Sequence, residues 1–230
     1  MKGAALPAKE QQVRQQRTRA GRPTKPLITR EAAVAAALEV IDRGGLEALS
    51  VQAVARVLKV AAPSLYYHFK DKDELLQLVA LELLRQVGKG ISREAGWKDR
   101  MIGLSVSTLQ VILAHANAAP LMLRFFPRQL MLSPYEYSLS DNPYPVEHQL
   151  VIVEAIEKLT YGTALFAAAA ETYHLPAMPV FDAERYPRLA RAIAAAPQDP
   201  LAMFEESLRA LLDGFDARYG QVRQEDEGNA

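Results

Sequence analysis

The stretch that most constrains this chain is residues 50–76, SVQAVARVLKVAAPSLYYHFKDKDELL. Val51, Val54, Ala55 and Leu58 fall at i, i+3, i+4 and i+7, one apolar stripe on a short helix. Ser50 stands where an N-cap side chain accepts from the first free backbone N–H groups. A break over Lys59, Val60 and Ala61 precedes Pro63, whose fixed φ and missing N–H suit the first turn of a second helix, expected over about residues 63–69. Asp71 then caps a third helix, with Glu74 at the capping-box spacing and Leu75, Leu78, Val79 and Leu83 carrying it onward. The whole reads as a helix-turn-helix followed by a connecting helix.

The second helix is short and polar. Leu65 and Phe69, four apart, share an inward face, while Ser64, Tyr66, Tyr67, His68 and Lys70 surround it with hydroxyls, rings and positive charge. Such a cluster is either a solvated face over a small core or a recognition helix whose side chains meet base edges and phosphates in the DNA major groove. The run LSVQAVARVLKVAAPSLYYHFKDKDELL resembles the DNA-binding domain of the TetR family of bacterial transcriptional repressors, down to S-L-Y-x-H-F-x-x-K-x-x-L, across about residues 29–80. The resemblance implies an all-α protein: an N-terminal three-helix helix-turn-helix DNA-binding domain over 29–75 and a C-terminal helical ligand-binding and dimerisation domain over 76–220. It also implies DNA contacts at Gln52, Ala62, Pro63, Ser64, Tyr66, Tyr67, His68 and Lys72, with double-stranded DNA carrying a palindromic operator as partner. Two positions depart from the family pattern. Lys59 occupies the turn position where glycine is common, and must take a less favoured backbone conformation if the turn keeps its shape. Ala62 replaces longer polar residues and offers only an apolar contact, such as to a thymine methyl.

Charge is unevenly spread: residues 1–88 carry +5 and residues 89–230 carry −5. That division suits a DNA-binding module joined to a carrier not itself drawn to DNA. Residues 1–28 form either a solubilising tail or an arm in which Arg17, Arg19, Arg22 and Lys25 neutralise phosphates or enter the minor groove. Residues 221–230 are expected to be a disordered acidic tail. The chain has no cysteine, so it has no disulfide framework and no cysteine-ligated metal, and a reducing cytoplasm is the expected location. No apolar core of signal-peptide length follows the N-terminal charges, and the uncharged run 101–123 holds too many polar groups for a membrane span.

The first helix is expected from Thr29 as N-cap to about Arg43, ending at Gly44 and Gly45. Beyond Gly88 the pattern predicts a helix over 99–115, a proline-broken helical stretch over 117–131, an irregular loop over 133–147 and a long helix over 145–173. A Pro-rich break then leads to a last helix over 200–219. The long helix is apolar nearly all round, with Ile152, Ile156, Leu159, Thr163, Phe166 and Ala170 on one stripe, and such a helix is buried in one subunit or shared with a partner. In the resembling family two such C-terminal helices build a homodimer, which marks Ile156, Leu159, Thr163, Leu208, Leu211 and Phe215 as dimerisation residues.

No phosphate-cradling loop, G-x-S-x-G or H-E-x-x-H occurs. The single E-x-x-H, Glu171 and His174, lacks the second pair a helical metal site needs, so no cofactor, metal or catalytic residue is expected. Met122, Phe125, Phe126, Met131, Tyr135, Phe166 and Tyr173, with Tyr137, Tyr144 and Met178, are candidate walls for a small, mainly apolar or aromatic effector that releases the operator. The alternative is a DNA-binding dimer whose larger domain serves only dimerisation or protein contacts, without an inducer.

Overall fold

The computed structural model describes residues 28–92, 94–176 and 178–220. The arm residues Arg17, Arg19, Arg22 and Lys25, and the 221–230 tail, lie outside the described residues. All regular structure among the described residues is helical.

Helix α1 is Arg30–Ala48. The Thr29 hydroxyl accepts from the Ala32 N–H at 3.1 Å and starts it as expected. Its end differs. At Gly45, with φ 75°, the backbone kinks, and a further turn carries the helix to Ala48. Helix α2, Val51–Leu58, begins where Ser50 accepts from the Ala53 N–H at 3.1 Å. Lys59 then takes a left-handed conformation, φ 55° and ψ 43°, donating its N–H to the Ala55 and Arg56 carbonyls. This is the strained glycine-favoring position anticipated from the sequence, and a non-glycine residue there costs about 1–2 kcal/mol. Glycine is freer in the unfolded chain, so Lys59→Gly is expected to recover about 1 kcal/mol or less. The check is a rise in the urea midpoint at unchanged slope.

The second helix of the motif is a 3-10 helix, Ala62–Tyr67, where the sequence predicted an ordinary helix over 63–69. Its bonds span three residues: Ser64 N–H to the Ala61 carbonyl at 3.0 Å and His68 N–H to the Leu65 carbonyl at 2.9 Å. Asp71 caps the connecting helix α3, Lys72–Gln86, accepting from the Glu74 N–H at 2.9 Å. Glu74 reaches back one residue further than in a standard capping box, to the Lys70 N–H at 2.7 Å. Ala33, Val34, Ala37 and Ile41 of α1, Val54 of α2, Leu65, Phe69, and Leu75 and Val79 of α3 are buried together and form the core of this end.

The rest is a helical layer built on α4 (Trp97–Ala114) and α8 (Val146–Thr172), which pack along one another, with α10 (Pro200–Tyr219) lying on both. Between α4 and α8 run a 3-10 turn (Ala116–Ala118), α5 (Leu121–Arg124), α6 (Pro127–Leu130) and α7 (Ser133–Ser140). Helix α7 corrects the expectation of an irregular loop. Pro134 falls in its first turn, where the missing N–H costs nothing, and the Trp97 indole N–H anchors it through the Ser138 carbonyl at 2.7 Å. Helix α9, Pro187–Ala195, likewise stands within the expected Pro-rich break and starts on its proline, and none of its residues is buried.

On α8 the expected apolar stripe leaves the core after Ile156. The buried side is Ile152, Val153, Ile156, Glu157, Thr160, Ala164 and Ala168. Leu159 and Thr163 are half-buried and Phe166 is 83% exposed. Among the described residues no single helix is long and apolar enough to cross a membrane, and the one pair that passes together, α4 with the 116–124 segment, bends by 97°.

Candidate nucleic-acid interface and interhelical pocket

The 3-10 helix has almost no stability of its own. Its position comes from Leu65, fully buried, and from Phe69 just beyond it, 3% exposed. Anchoring these two turns their neighbours outward. Tyr66 is half-exposed and tilts against the Phe69 ring at 6.2 Å, and Tyr67 projects freely at 90% exposure. Pro63, Gln52 and Lys72 are exposed, while Ala62, Ser64 and His68 are partly so. A shallow depression joins Tyr66, Tyr67 and His68 to Lys70, Arg30 and Glu74. The Arg30 guanidinium bonds Glu74 at 2.5 Å, tying the start of α1 to the start of α3 beside the tyrosines. That contact joins residues 44 apart, and nothing local in the sequence announces it.

The N-terminus of α3 is already occupied by a negative charge. The Asp71 carboxyl is held below its usual range, chiefly by the N–H it accepts from Glu74. A phosphate at this edge therefore meets the Lys72 ammonium rather than free helix N–H groups.

A cavity of about 190 Å³ lies between α3, α4, α7 and α8. Leu84 and Val87 close it at the end of α3, and Met101, Leu104, Ser105 and Thr108 line it from α4. Pro127, Met131, Tyr135 and Ser138 form a second side, and Val153, Ile156, Glu157, Thr160 and Tyr161 of α8 form the third. Of the candidate effector residues, Met131 and Tyr135 line this space. Met122 is only 2% exposed and fills the core, Phe125 packs against that core, and Phe126 faces Tyr161 at 6.4 Å without entering the wall. Phe166 and Tyr173, 83% and 71% exposed, stand on the outside of α8, because a helix apolar all round does not reveal which rings turn inward. Tyr144 is buried against Trp97, while Tyr137 and Met178 are largely exposed.

The wall's polar group was not foreseen. Glu157 is 7% exposed and accepts from the Arg128 Nη2 at 2.5 Å and from the Tyr135 hydroxyl. Arg128 also bonds Glu154 at 2.7 Å. Together with Lys158, it holds the Glu154 carboxyl down at about 2. Burial, and then the hydrogen bond to Glu157 at Tyr135 and the Glu157 charge at Tyr161, push both phenols well above their usual range, so both stay neutral hydroxyls. The sequence signal was Glu157, Thr160 and Tyr161 at i, i+3 and i+4, hidden in a stretch that also reads as a solvated face.

The two ends of the molecule touch through polar bonds. His115 Nδ1 lies 2.9 Å from the Asp42 carboxylate, Asn117 donates to the Asp42 carbonyl at 2.8 Å, and Arg124 pairs with Asp73 at 2.8 Å. Among the described residues no group of three or more His, Asp or Glu side chains comes together that can hold a metal ion.

The candidate dimerisation residues divide. Ile156 and Leu208 are buried within the subunit, 6% and 0% exposed, and cannot meet a partner without unpacking. Leu159, Thr163, Leu211 and Phe215 are half-buried at the edge of the core. The outward faces instead carry Phe166 beside Gly162 on α8, and Ala210, Gly214 and Ala217 on α10.

Residues 33–79 match the sequence profile of the bacterial regulatory proteins of the tetR family. A helix-turn-helix transcriptional regulator of Saccharopolyspora erythraea is 36% identical over 98 residues, which are 43% of this chain and 42% of that protein. The class D tetracycline repressor of Escherichia coli is 25% identical over 204 residues, 86% of this chain and 93% of the repressor. Over the whole fold, the Streptomyces coelicolor TetR family protein ActR, solved in complex with (S)-DNPA, superposes with a TM-score of 0.62 at 25% identity, covering 83% of this chain and 98% of ActR. Residues 33–79 carry the DNA-binding domain of the TetR family, and over its length the chain is similar to TetR-family regulators. A TetR-family protein is a DNA-binding transcriptional regulator, and the family is one of regulators, not enzymes. Its members typically bind DNA as dimers and bind small molecules. The helix-turn-helix domain at one end and the helical domain at the other are the family's arrangement.

Proposed function

We propose that this TetR-family regulator is a repressor that holds a palindromic operator as a homodimer and is released by a small molecule in the α3–α4–α7–α8 cavity. The carrying observation is the course of α3. It begins at Lys72, beside the exposed tyrosines, and ends with Leu84 in the cavity wall. Anything that fills the cavity and displaces Leu84 moves the helix to which the recognition segment is joined. A ligand bound better by one α3 position than another shifts the population of DNA-competent dimers, because two recognition segments fit only half-sites one helical turn apart. The bonds from Asp42 to His115 and Asn117, and from Arg124 to Asp73, give the same motion a second route through α1 and the α3 start.

The DNA contacts in this reading are Gln52, Ala62, Pro63, Ser64, Tyr66, Tyr67, His68 and Lys72, within a DNA-binding domain of residues 29–75. Residues 76–220 serve the effector and the partner subunit, and Arg17, Arg19, Arg22 and Lys25 of the 1–28 arm add phosphate contacts. A mainly apolar pocket with one carboxylate in its wall, spanning α3 to α8, favours an effector-responsive protein over one that uses its larger domain for dimerisation alone.

Selection of binding sites from a random DNA pool by the purified protein is expected to enrich an inverted repeat. Recovery of no common sequence, with binding that vanishes as salt rises, would leave only electrostatic affinity and overturn the reading. A reporter promoter overlapping the recovered repeat should be silenced by the protein, and activation would refute the repressor role. Tyr67→Ala removes a side chain that packs on nothing. Thermal stability is expected to change by less than about 0.5 kcal/mol, while affinity for the selected repeat falls by about tenfold or more.

A further inference from the structure

Resting on the cavity reading above, we infer that the effector carries a hydrogen-bond donor, in its strongest form a cationic amine, and that Glu157 reads it. The donor and acceptor balance of the wall points this way. The Thr108 hydroxyl donates to the Leu104 carbonyl, Thr160 to Ile156 and Ser138 to Pro134, each at 2.8 Å, so three hydroxyl hydrogens are spent on their own helices. What these groups offer a ligand is lone pairs. The Tyr135 hydrogen is spent on Glu157. Only the Ser105 and Tyr161 hydroxyls can turn either way.

Charge agrees with this count. Glu157 is the one charged residue in the wall, and no lysine, arginine or histidine lines it. Its counter-ion Arg128 is not part of the wall and is shared with Glu154. A carboxylate has about four acceptor positions, and Glu157 has two protein donors. A carboxylate or phosphate ligand would meet lone pairs and a negative charge. An ammonium meets an acceptor and the Tyr161 ring, while the Tyr135 ring already carries the Arg128 guanidinium 5.8 Å from its centroid.

Size admits a small aromatic amine. An apolar cavity of about 150 Å³ holds benzene, so the 190 Å³ here accommodates at least one ring with a short polar head.

Four single-ring probes of nearly equal bulk test the idea on the full-length protein: benzylamine, benzyl alcohol, toluene and benzoate, with dissociation constants measured by ligand-observed NMR. Benzylamine is expected to bind about tenfold or more tightly than benzoate, with the neutral probes between them. Glu157→Gln, which keeps an acceptor for the Tyr135 hydroxyl, should weaken benzylamine by about tenfold and leave toluene unchanged. Benzoate binding as well as benzylamine, or Glu157→Gln leaving benzylamine untouched, would overturn the inference while the cavity reading stands. Failure of all four probes to bind would sink the cavity reading and the inference with it. Should Glu157→Gln not fold, the ranking on the unaltered protein decides alone.

Discussion

Truncating Leu65 to alanine is expected to destabilise the DNA-binding end by about 2–5 kcal/mol, a large part of the whole stability of an ordinary domain. Leu65 is fully buried in one cluster with Ile41, Val54, Phe69, Leu75 and Val79. The six-residue 3-10 helix around it has no long ladder of hydrogen bonds to fall back on. Removing three carbons leaves a void among helices that cannot close over it, because caps at Thr29, Ser50 and Asp71 hold their first turns. The loss should appear as a lower urea midpoint and, in parallel, as lost affinity for any selected DNA site, even though Leu65 itself touches no solvent. Leu65→Met, which keeps the volume, should cost less than about 1.5 kcal/mol and keep DNA binding. A cost below about 1 kcal/mol for the alanine variant would mean that the segment is held elsewhere.

The same local chemistry explains how much of the fold was legible in the sequence. Capping couples a side chain to an N–H three residues away, so Thr29, Ser50 and Asp71 each begin a helix where the sequence placed it. Leu65 and Phe69 lie buried on the inward face that their spacing assigned. The starts of α8 and α10 were legible for a related reason, since Pro145 and Pro200 fall at helix starts. Helix α7 is hard to read locally, because the proline and tyrosine density of residues 133–140 also fits an irregular loop. Its support is the Trp97 indole bond, which comes from 41 residues away.

The interior of the larger domain was less legible. A nearly uniform apolar helix such as α8 presents several possible faces, and only packing against α4 and α10 selects Thr160, Ala164 and Ala168 for the inside. Phe166 and Tyr173 were consequently assigned to a ligand wall from which they point away. The polar end of the cavity depends on Arg128 reaching Glu154 and Glu157, a pairing fixed by tertiary structure and invisible to periodicity. On the DNA side, position was legible for Tyr66, Tyr67 and His68, but the Arg30 to Glu74 bond that frames them was not.

Placing arginine at both Gly162 and Gly214 is expected to convert the proposed dimer into monomers and to lower operator affinity by about 10²–10⁴-fold, the avantage of two tethered half-site contacts over one. Within a subunit neither glycine has a reason to be glycine. Each lies inside a helix, where glycine costs roughly 0.8–1 kcal/mol relative to alanine. A Cβ built at either meets nothing within 4 Å. Both stand on the outward faces of α8 and α10, beside Phe166 and the small residues Ala210 and Ala217. A partner helix lying close across these faces accounts for glycine, because only a bare backbone admits it. The double arginine variant should therefore keep or slightly raise its thermal stability as a subunit while sedimenting at half the mass. A variant that stays dimeric, with operator affinity unchanged, would move the interface away from these two helices. In that case the half-buried Leu159, Leu211 and Phe215 would belong to the subunit core alone.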